Sequence, residues 1–219
     1  MKYKNRFDAG QKLVPLLKKY KKLPNAIVLG LPRGGVVTAA AVAKGLELPL
    51  DVTCPRKLGA PFNPELAIGA VTESGEGVFN TGLIEQLGIP EGYLQKEIDA
   101  ETKQAKRRVM LYRQGRPPLD LEGKTVIIVD DGLATGATMK AAIKSVQNAG
   151  ADQIIVAVPV APQDTVDEIK TEVEEVVCPY TPPFFQAVGQ FYENFDQTED
   201  EDVIALLKAG EEPPLQGSS

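Results

Sequence analysis

The run VIIVDDGLATGAT, from Val126 to Thr138, constrains this chain more than any other stretch: a β-branched apolar segment, two adjacent acids, then a loop of Gly, Ala and Thr that opens a helix. An apolar run without alternation is a strand covered on both faces, as in a parallel sheet sandwiched between helices. Ligands of such folds sit at the carboxyl ends of the strands, and both acids fall there, directly before a helix N-terminus. Two like charges side by side at the end of a buried strand repel each other unless something else occupies them.

The remaining chain supports the same class. Arg6 to Lys22 carries Leu13, Leu16, Leu17 and Tyr20 at helical spacing and reads as one amphipathic helix ending at Pro24. AIVLG (Ala26 to Gly30) reads as a buried strand, the loop LPRGG follows, a helix runs from about Val36 to Lys44, and LPLDVT (Leu48 to Thr53) is the next strand. After it, PRKLGAPFNP reads as a loop and the alternating runs around ESGEG as a hairpin from about Leu66 to Asn80. Between Gly92 and Arg113 a charged helix aligns Leu94, Ile98, Ala105, Val109 and Tyr112 on one face. That stripe packs on its own domain, with a homodimer arm as the alternative.

TVIIVDD is then the second core strand and Ala137 to Ala149 its helix, before a strand in QIIVAVPV. A helix over Gln163 to Val173, a last strand in EEVVCP (Glu174 to Pro179) and a short helix in EDEDVIALLKAG complete the pattern. The expected fold is α/β: a central, mostly parallel sheet flanked by helices, with an inserted hairpin. One domain over residues 1–210 is expected, with a flexible tail over 211–219.

Composition narrows the chemistry. The 219 residues include no histidine, which removes Ser-His-Asp triads, Cys-His pairs and HExxH zinc sites. Acid–base work falls to carboxylates, Lys, Tyr or Cys. The two cysteines, Cys54 and Cys178, lie far apart at the ends of apolar runs, as reduced core residues do. A net charge of −6 argues against broad nucleic-acid binding, and the one basic cluster, Lys106, Arg107 and Arg108, reads as a solvated face. No run is long enough to cross a bilayer, and MKYKNRFDAGQKL has neither an apolar core nor a cleavage site, so a cytoplasmic location is expected.

Small residues in GLATGAT let successive backbone N–H groups face an anion, and the helix dipole adds favourable potential. A phosphate fits that cradle, with the hydroxyls of Thr135 and Thr138 beside it. Asp130 and Asp131 then suit sugar hydroxyls or a divalent cation. A phosphorylated ribose satisfies both requirements.

VIIVDDGLATGAT resembles the phosphoribosyl-diphosphate (PRPP) binding motif of type I phosphoribosyltransferases. The resemblance implies the fold of that family and a role for each matching position. Asp130 and Asp131 would hold the ribose hydroxyls directly or through Mg²⁺, and Ala134, Thr135, Gly136, Ala137 and Thr138 the 5′-phosphate. VLGLPRGGV occupies the place of the family's diphosphate loop, with Arg33, Gly34 and Gly35 as its contacts. PRKLGAPFNP falls where the family places a mobile lid, so Arg56 and Lys57 either neutralise the leaving diphosphate or are surface charge. PRKLGAPFNPELAIGAV and PPFFQAVGQFYENF together resemble a branch of predicted phosphoribosyltransferases whose acceptor is unassigned.

The implied reaction is transfer of a 5-phosphoribosyl group from Mg-PRPP to a nitrogenous acceptor, a nucleobase in most of the family, with release of diphosphate. The hypoxanthine-guanine members carry an Asp where Ala134 stands here, so that acid–base group is missing. Acceptors in the family meet a hood outside the core sheet (core about 24–178), which the resemblance assigns to residues 1–23 and 179–198. Tyr180, Phe184 and Phe185 either stack on a planar base there or close a small satellite core, the second being favoured. A PRPP-binding regulatory protein without efficient turnover is the alternative function. Arg33 with Arg56 and Lys57 favours the enzyme, because a sensor has less need of a leaving-group clamp.

Overall fold

A computed structural model describes residues 2–210, so the tail expected over 211–219 lies outside the described residues. From the N-terminus, α1 (Arg6–Leu13) tightens into a 3-10 helix (Val14–Tyr20), followed by β1 (Ala26–Gly30), α2 (Gly34–Leu46) and β2 (Leu50–Val52). An excursion then forms β3 (Arg56–Ala60), β4 (Asn63–Val71), β5 (Gly77–Phe79), α3 (Thr81–Gln86) and α4 (Glu91–Arg113). The chain returns through β6 (Thr125–Val129), α5 (Ala137–Asn148), β7 (Gln153–Ala157), α6 (Gln163–Ile169) and β8 (Glu175–Val177), and closes with a 3-10 turn (Val188–Phe191) and α7 (Asp200–Ala209).

The central sheet has the order β2-β1-β6-β7-β8, and every neighbouring pair in it is parallel. Its two faces explain the unbroken apolar runs. Along β6, Ile127 and Val129 face one core with Val28, Val36 and Leu46, while Val126 and Ile128 face the other with Leu29, Met139 and Ile143. All of these side chains are buried. Each contributes roughly 1.5–3 kcal/mol by leaving water, so the middle strands anchor whatever follows them in sequence.

Two expectations are corrected. Residues 6–22 are not one α-helix: α1 stops at Leu13, and the next turns are 3-10 with Pro15 at their start, where its missing N–H leaves no α-helical bond to lose. Leu13 and Leu17 remain fully buried, but Leu16 is 49% exposed. The segment before the hairpin is a strand and not a loop. β3 pairs antiparallel with β4, which pairs with β5 over Gly69↔Phe79 to Val71↔Gly77 as the hairpin pattern predicts. Pro55 and Pro61 flank β3 without interrupting it, and Leu58 and Ala60 join Ile68 and Val71 in a separate, small core. Gly59 marks a break in register, where an added Cβ would come 2.7 Å from the Pro64 carbonyl oxygen.

The long helix α4 covers this excursion with Leu94 and Ile98 and the main core with Ala105 and Tyr112. Its end is tied to β2, since Arg113 donates twice to the buried Asp51 carboxylate, at 3.0 and 3.1 Å. Cys54 is buried and Cys178 half-buried, and both are free thiols.

Candidate active site

β1 and β6 lie side by side with Gly30 opposite Val129, so the loops after them leave the sheet together at its carboxyl edge. One loop runs into α2 at Gly34 and the other into α5 at Ala137, and neither helix start has a side-chain cap. Two helix N-termini therefore face the same space with their first-turn N–H groups available to an anion. Gly136 stands at the start of α5 with φ of 74°, a left-handed conformation that few residues other than glycine adopt at low cost. The peptide between Pro32 and Arg33 is cis.

Gly34 and Gly35 are required by contact. A Cβ on Gly35 would lie 2.5 Å from Asp130 Oδ1 and 3.0 Å from the Asp130 Cα. One on Gly34 would lie 2.4 Å from both Asp131 Oδ2 and Arg6 Nε. The absence of side chains lets the α2 N-terminus lie directly against the acid pair.

The acids themselves are held from three sides. Asp130 Oδ1 accepts the Asp131 backbone N–H at 2.8 Å. Arg6 Nε donates to Asp131 Oδ2 at 2.6 Å, and the Tyr192 hydroxyl donates to the Asp131 carbonyl at 2.5 Å. The Arg6 guanidinium is fixed in turn, since its Nη1 donates to the Asp196 carbonyl at 2.6 Å and its plane sits 3.7 Å over the Phe195 ring. Burial and the neighbouring Asp131 charge push the Asp130 carboxyl well above the ordinary range. Burial raises Asp131 too, against the opposing pull of Arg6.

The structure brings Gly34, Gly35, Asp130 and Asp131 together and sets the loop from Ala134 to Thr138 beside them. In that loop Ala134 and Thr135 are exposed, while the Ala134 carbonyl is pinned by the Thr165 hydroxyl at 2.8 Å. Arg33 is the residue just before α2, but its guanidinium turns to the start of α7, 3.2 Å from Glu199 and 4.0 Å from Asp200. Arg56 lies on β3 and pairs with Glu101 of α4 at 2.6 Å; its neighbour Lys57 lies opposite Ala70 on β4. Among the aromatics, Tyr180 and Phe185 pack on Phe191 with centroids 5.6 and 5.3 Å apart, whereas Phe184 is 85% exposed. Phe185 also borders an open cleft of about 650 Å³ with Pro162, Gln163, Asp164 and Pro182.

Arg6, Tyr192 and Phe195 escape the sequence reading. Arg6 meets Asp131 across 125 positions, and a lone arginine at the head of an amphipathic helix has no motif. The available signal was the FYENF aromatic cluster, which fixes nothing until Tyr3 is seen bridging to Tyr192 and carrying α1 to the site.

A parallel sheet with two glycine-opened helix starts around an acid pair at its carboxyl edge defines an α/β protein of the doubly covered, parallel-sheet class. The sequence profile of the phosphoribosyl transferase domain matches residues 15–196, and the chain belongs to that family. A Mycobacterium tuberculosis (strain H37Rv) protein named "putative phosphoribosyl transferase" is 43% identical over 205 residues, which are 94% of this chain and 46% of that protein. The chain thus spans about half the length of the curated relatives it matches. A crystal structure of a Thermus thermophilus protein superposes with a TM-score of 0.80 at 42% identity, covering 94% of this chain and 98% of that one. A ribose-phosphate pyrophosphokinase of Sulfurisphaera tokodaii is 38% identical over 104 residues, 46% of this chain and 34% of that protein.

Proposed function

We propose that this chain transfers the 5-phosphoribosyl group of PRPP to a nitrogenous acceptor of nucleobase type, releasing diphosphate. One observation carries the reading: the uncapped starts of α2 and α5 flank the Asp130–Asp131 pair, with glycines where a Cβ would close the gap. In this account the loop from Ala134 to Thr138 binds the 5′-phosphate through the α5 N-terminus, and Gly34 and Gly35 offer backbone N–H groups to the diphosphate. Asp130 and Asp131 accept the ribose hydroxyls. The acceptor nitrogen attacks the anomeric carbon as the carbon–oxygen bond to diphosphate breaks, and the diphosphate leaves with the electron pair. Positioning and charge stabilisation suffice, and no covalent enzyme intermediate is needed.

Among the described residues no group of three or more His, Cys, Asp or Glu side chains is placed to hold a metal. Asp130 and Asp131 would be the protein donors, and a carboxylate pair fits Mg²⁺ arriving with the substrate, because that ion is commonly bound by one or two carboxylates plus substrate phosphates. When bound it neutralises diphosphate charge. The cleft beside Phe185 has the size of a small-molecule site and is the place we assign to the acceptor, with Phe184 and Tyr180 as the neighbouring aromatics in sequence. Arg33, Arg56 and Lys57 remain assigned to diphosphate, Arg33 and Arg56 reaching it only by exchanging their ion pairs with α7 and α4.

The test is diphosphate release from Mg-PRPP across a panel of purine, pyrimidine and other ring-nitrogen acceptors. Release dependent on one acceptor class supports transfer. Tight PRPP binding with no release for any acceptor would assign the site to a regulatory protein instead.

A further inference from the structure

We propose that Arg6, carried by the N-terminal helix, is a substrate-contacting residue whose free guanidinium edge receives the diphosphate of PRPP. This rests on the PRPP reading of the site and adds a residue that neither the motif nor the diphosphate loop supplies. The side chain is only 12% exposed, yet only part of its donor capacity is used: Nε is on Asp131 and Nη1 on the Asp196 carbonyl, while Nη2 makes no hydrogen bond among the described residues. The guanidinium lies against the first residue of α2, as the 2.4 Å from a Gly34 Cβ position to Nε and the 2.9 Å to Cζ show. It is therefore wedged between the ribose-binding acid and the helix start assigned to diphosphate.

A cation beside the positive end of a helix is unfavourable unless an anion joins them. Asp131 supplies half of that compensation, and the stack on Phe195 with the bond to Asp196 holds the plane in place without a ligand. An arginine held in this way offers a preset fork to phosphate oxygens and loses little side-chain freedom on binding. The arrangement also gives α1 a task. Its N-cap Asn5 accepts from the Asp8 N–H, and the Tyr3 bridge to Tyr192 fixes the segment before it, so Arg6 leaves the helix at its most constrained point.

The experiment compares Arg6→Gln and Arg6→Lys with the unaltered chain by calorimetric titration with Mg-PRPP, Mg-diphosphate and ribose 5-phosphate. Loss of charge-assisted bonds to the diphosphate predicts about a 10- to 100-fold weaker binding of PRPP and diphosphate for Arg6→Gln, with ribose 5-phosphate changed much less. Arg6→Lys, which keeps the charge without the fork, falls between. Equal losses for PRPP and ribose 5-phosphate would overturn the proposal and leave Arg6 as a support for Asp131 alone. No loss for any ligand would overturn it as well. If Arg6→Gln fails to fold by circular dichroism, the same ratio measured on Arg6→Lys decides. Failure of the unaltered chain to bind either sugar phosphate would instead remove the PRPP reading itself.

Discussion

Replacing Gly35 by alanine separates helix propensity from site geometry. Gly35 lies in the first turn of α2, and on propensity alone alanine there should gain about 0.5–1 kcal/mol. The structure predicts the reverse. The new methyl would stand 2.5 Å from Asp130 Oδ1 and 3.0 Å from the Asp130 Cα, and the second contact is with backbone, so turning the carboxylate does not relieve it. Overpacking of this kind costs about 1–3 kcal/mol, leaving a net loss of up to about 2.5 kcal/mol. For a chain of this size that lowers Tm by up to about 10 °C. Gly92, in the first turn of α4, is the control, because nothing lies within 4 Å of its Cβ position and alanine there should raise Tm slightly. Thermal unfolding by circular dichroism reads both, and PRPP titration of the folded Gly35→Ala protein should show at least about tenfold weaker binding, the equivalent of about 1.4 kcal/mol. A Gly35→Ala protein that gains stability like Gly92→Ala, or binds PRPP unchanged, would refute the close approach of α2 to the acids.

Asp130→Asn should stabilise the ligand-free protein near neutral pH while abolishing PRPP binding, read by thermal unfolding and calorimetry on the same samples. The sign follows from the raised carboxyl: between the ordinary and the raised value the folded state holds more protons than the unfolded, so stability falls as pH rises, and the amide removes that loss. The unaltered chain should accordingly show a falling Tm from mildly acidic toward neutral pH, with a flatter profile in Asp130→Asn. Asp51→Ala, which removes the buried carboxylate facing Arg113 and Arg116 at β2, should cost about 3–5 kcal/mol in urea unfolding. Tyr192→Phe removes the hydroxyl bond to the Asp131 carbonyl and should cost about 1 kcal/mol by the same measurement, with a modest loss of PRPP affinity.

Much of the fold was legible because its middle strands are covered on both faces. AIVLG is β1 to the residue, and TVIIV is β6, since an apolar run between turns that is too short for a helix marks a strand covered on both faces. The acid pair was legible for the same reason, as the first polar residues after such a strand. β3 was not. Its prolines, its glycine and the basic pair Arg56-Lys57 read as loop chemistry, and only the buried Leu58 and Ala60 packed under α4 reveal a strand. The 3-10 stretch after α1 was hidden because leucines at helical spacing look alike whichever helix carries them. Arg6 was illegible for a deeper reason: its role comes from a tertiary contact made by the Tyr3 bridge to Tyr192, which no local pattern encodes.

The central claim is that the carboxyl edge of β1 and β6 holds PRPP through both its diphosphate and its ribose phosphate. Calorimetric titration with PRPP, with and without Mg²⁺ and against ribose 5-phosphate, tests it most directly. Saturable binding of both sugar phosphates, with a magnesium-dependent gain for PRPP alone, is the predicted result. Absence of binding for either ligand would contradict the account.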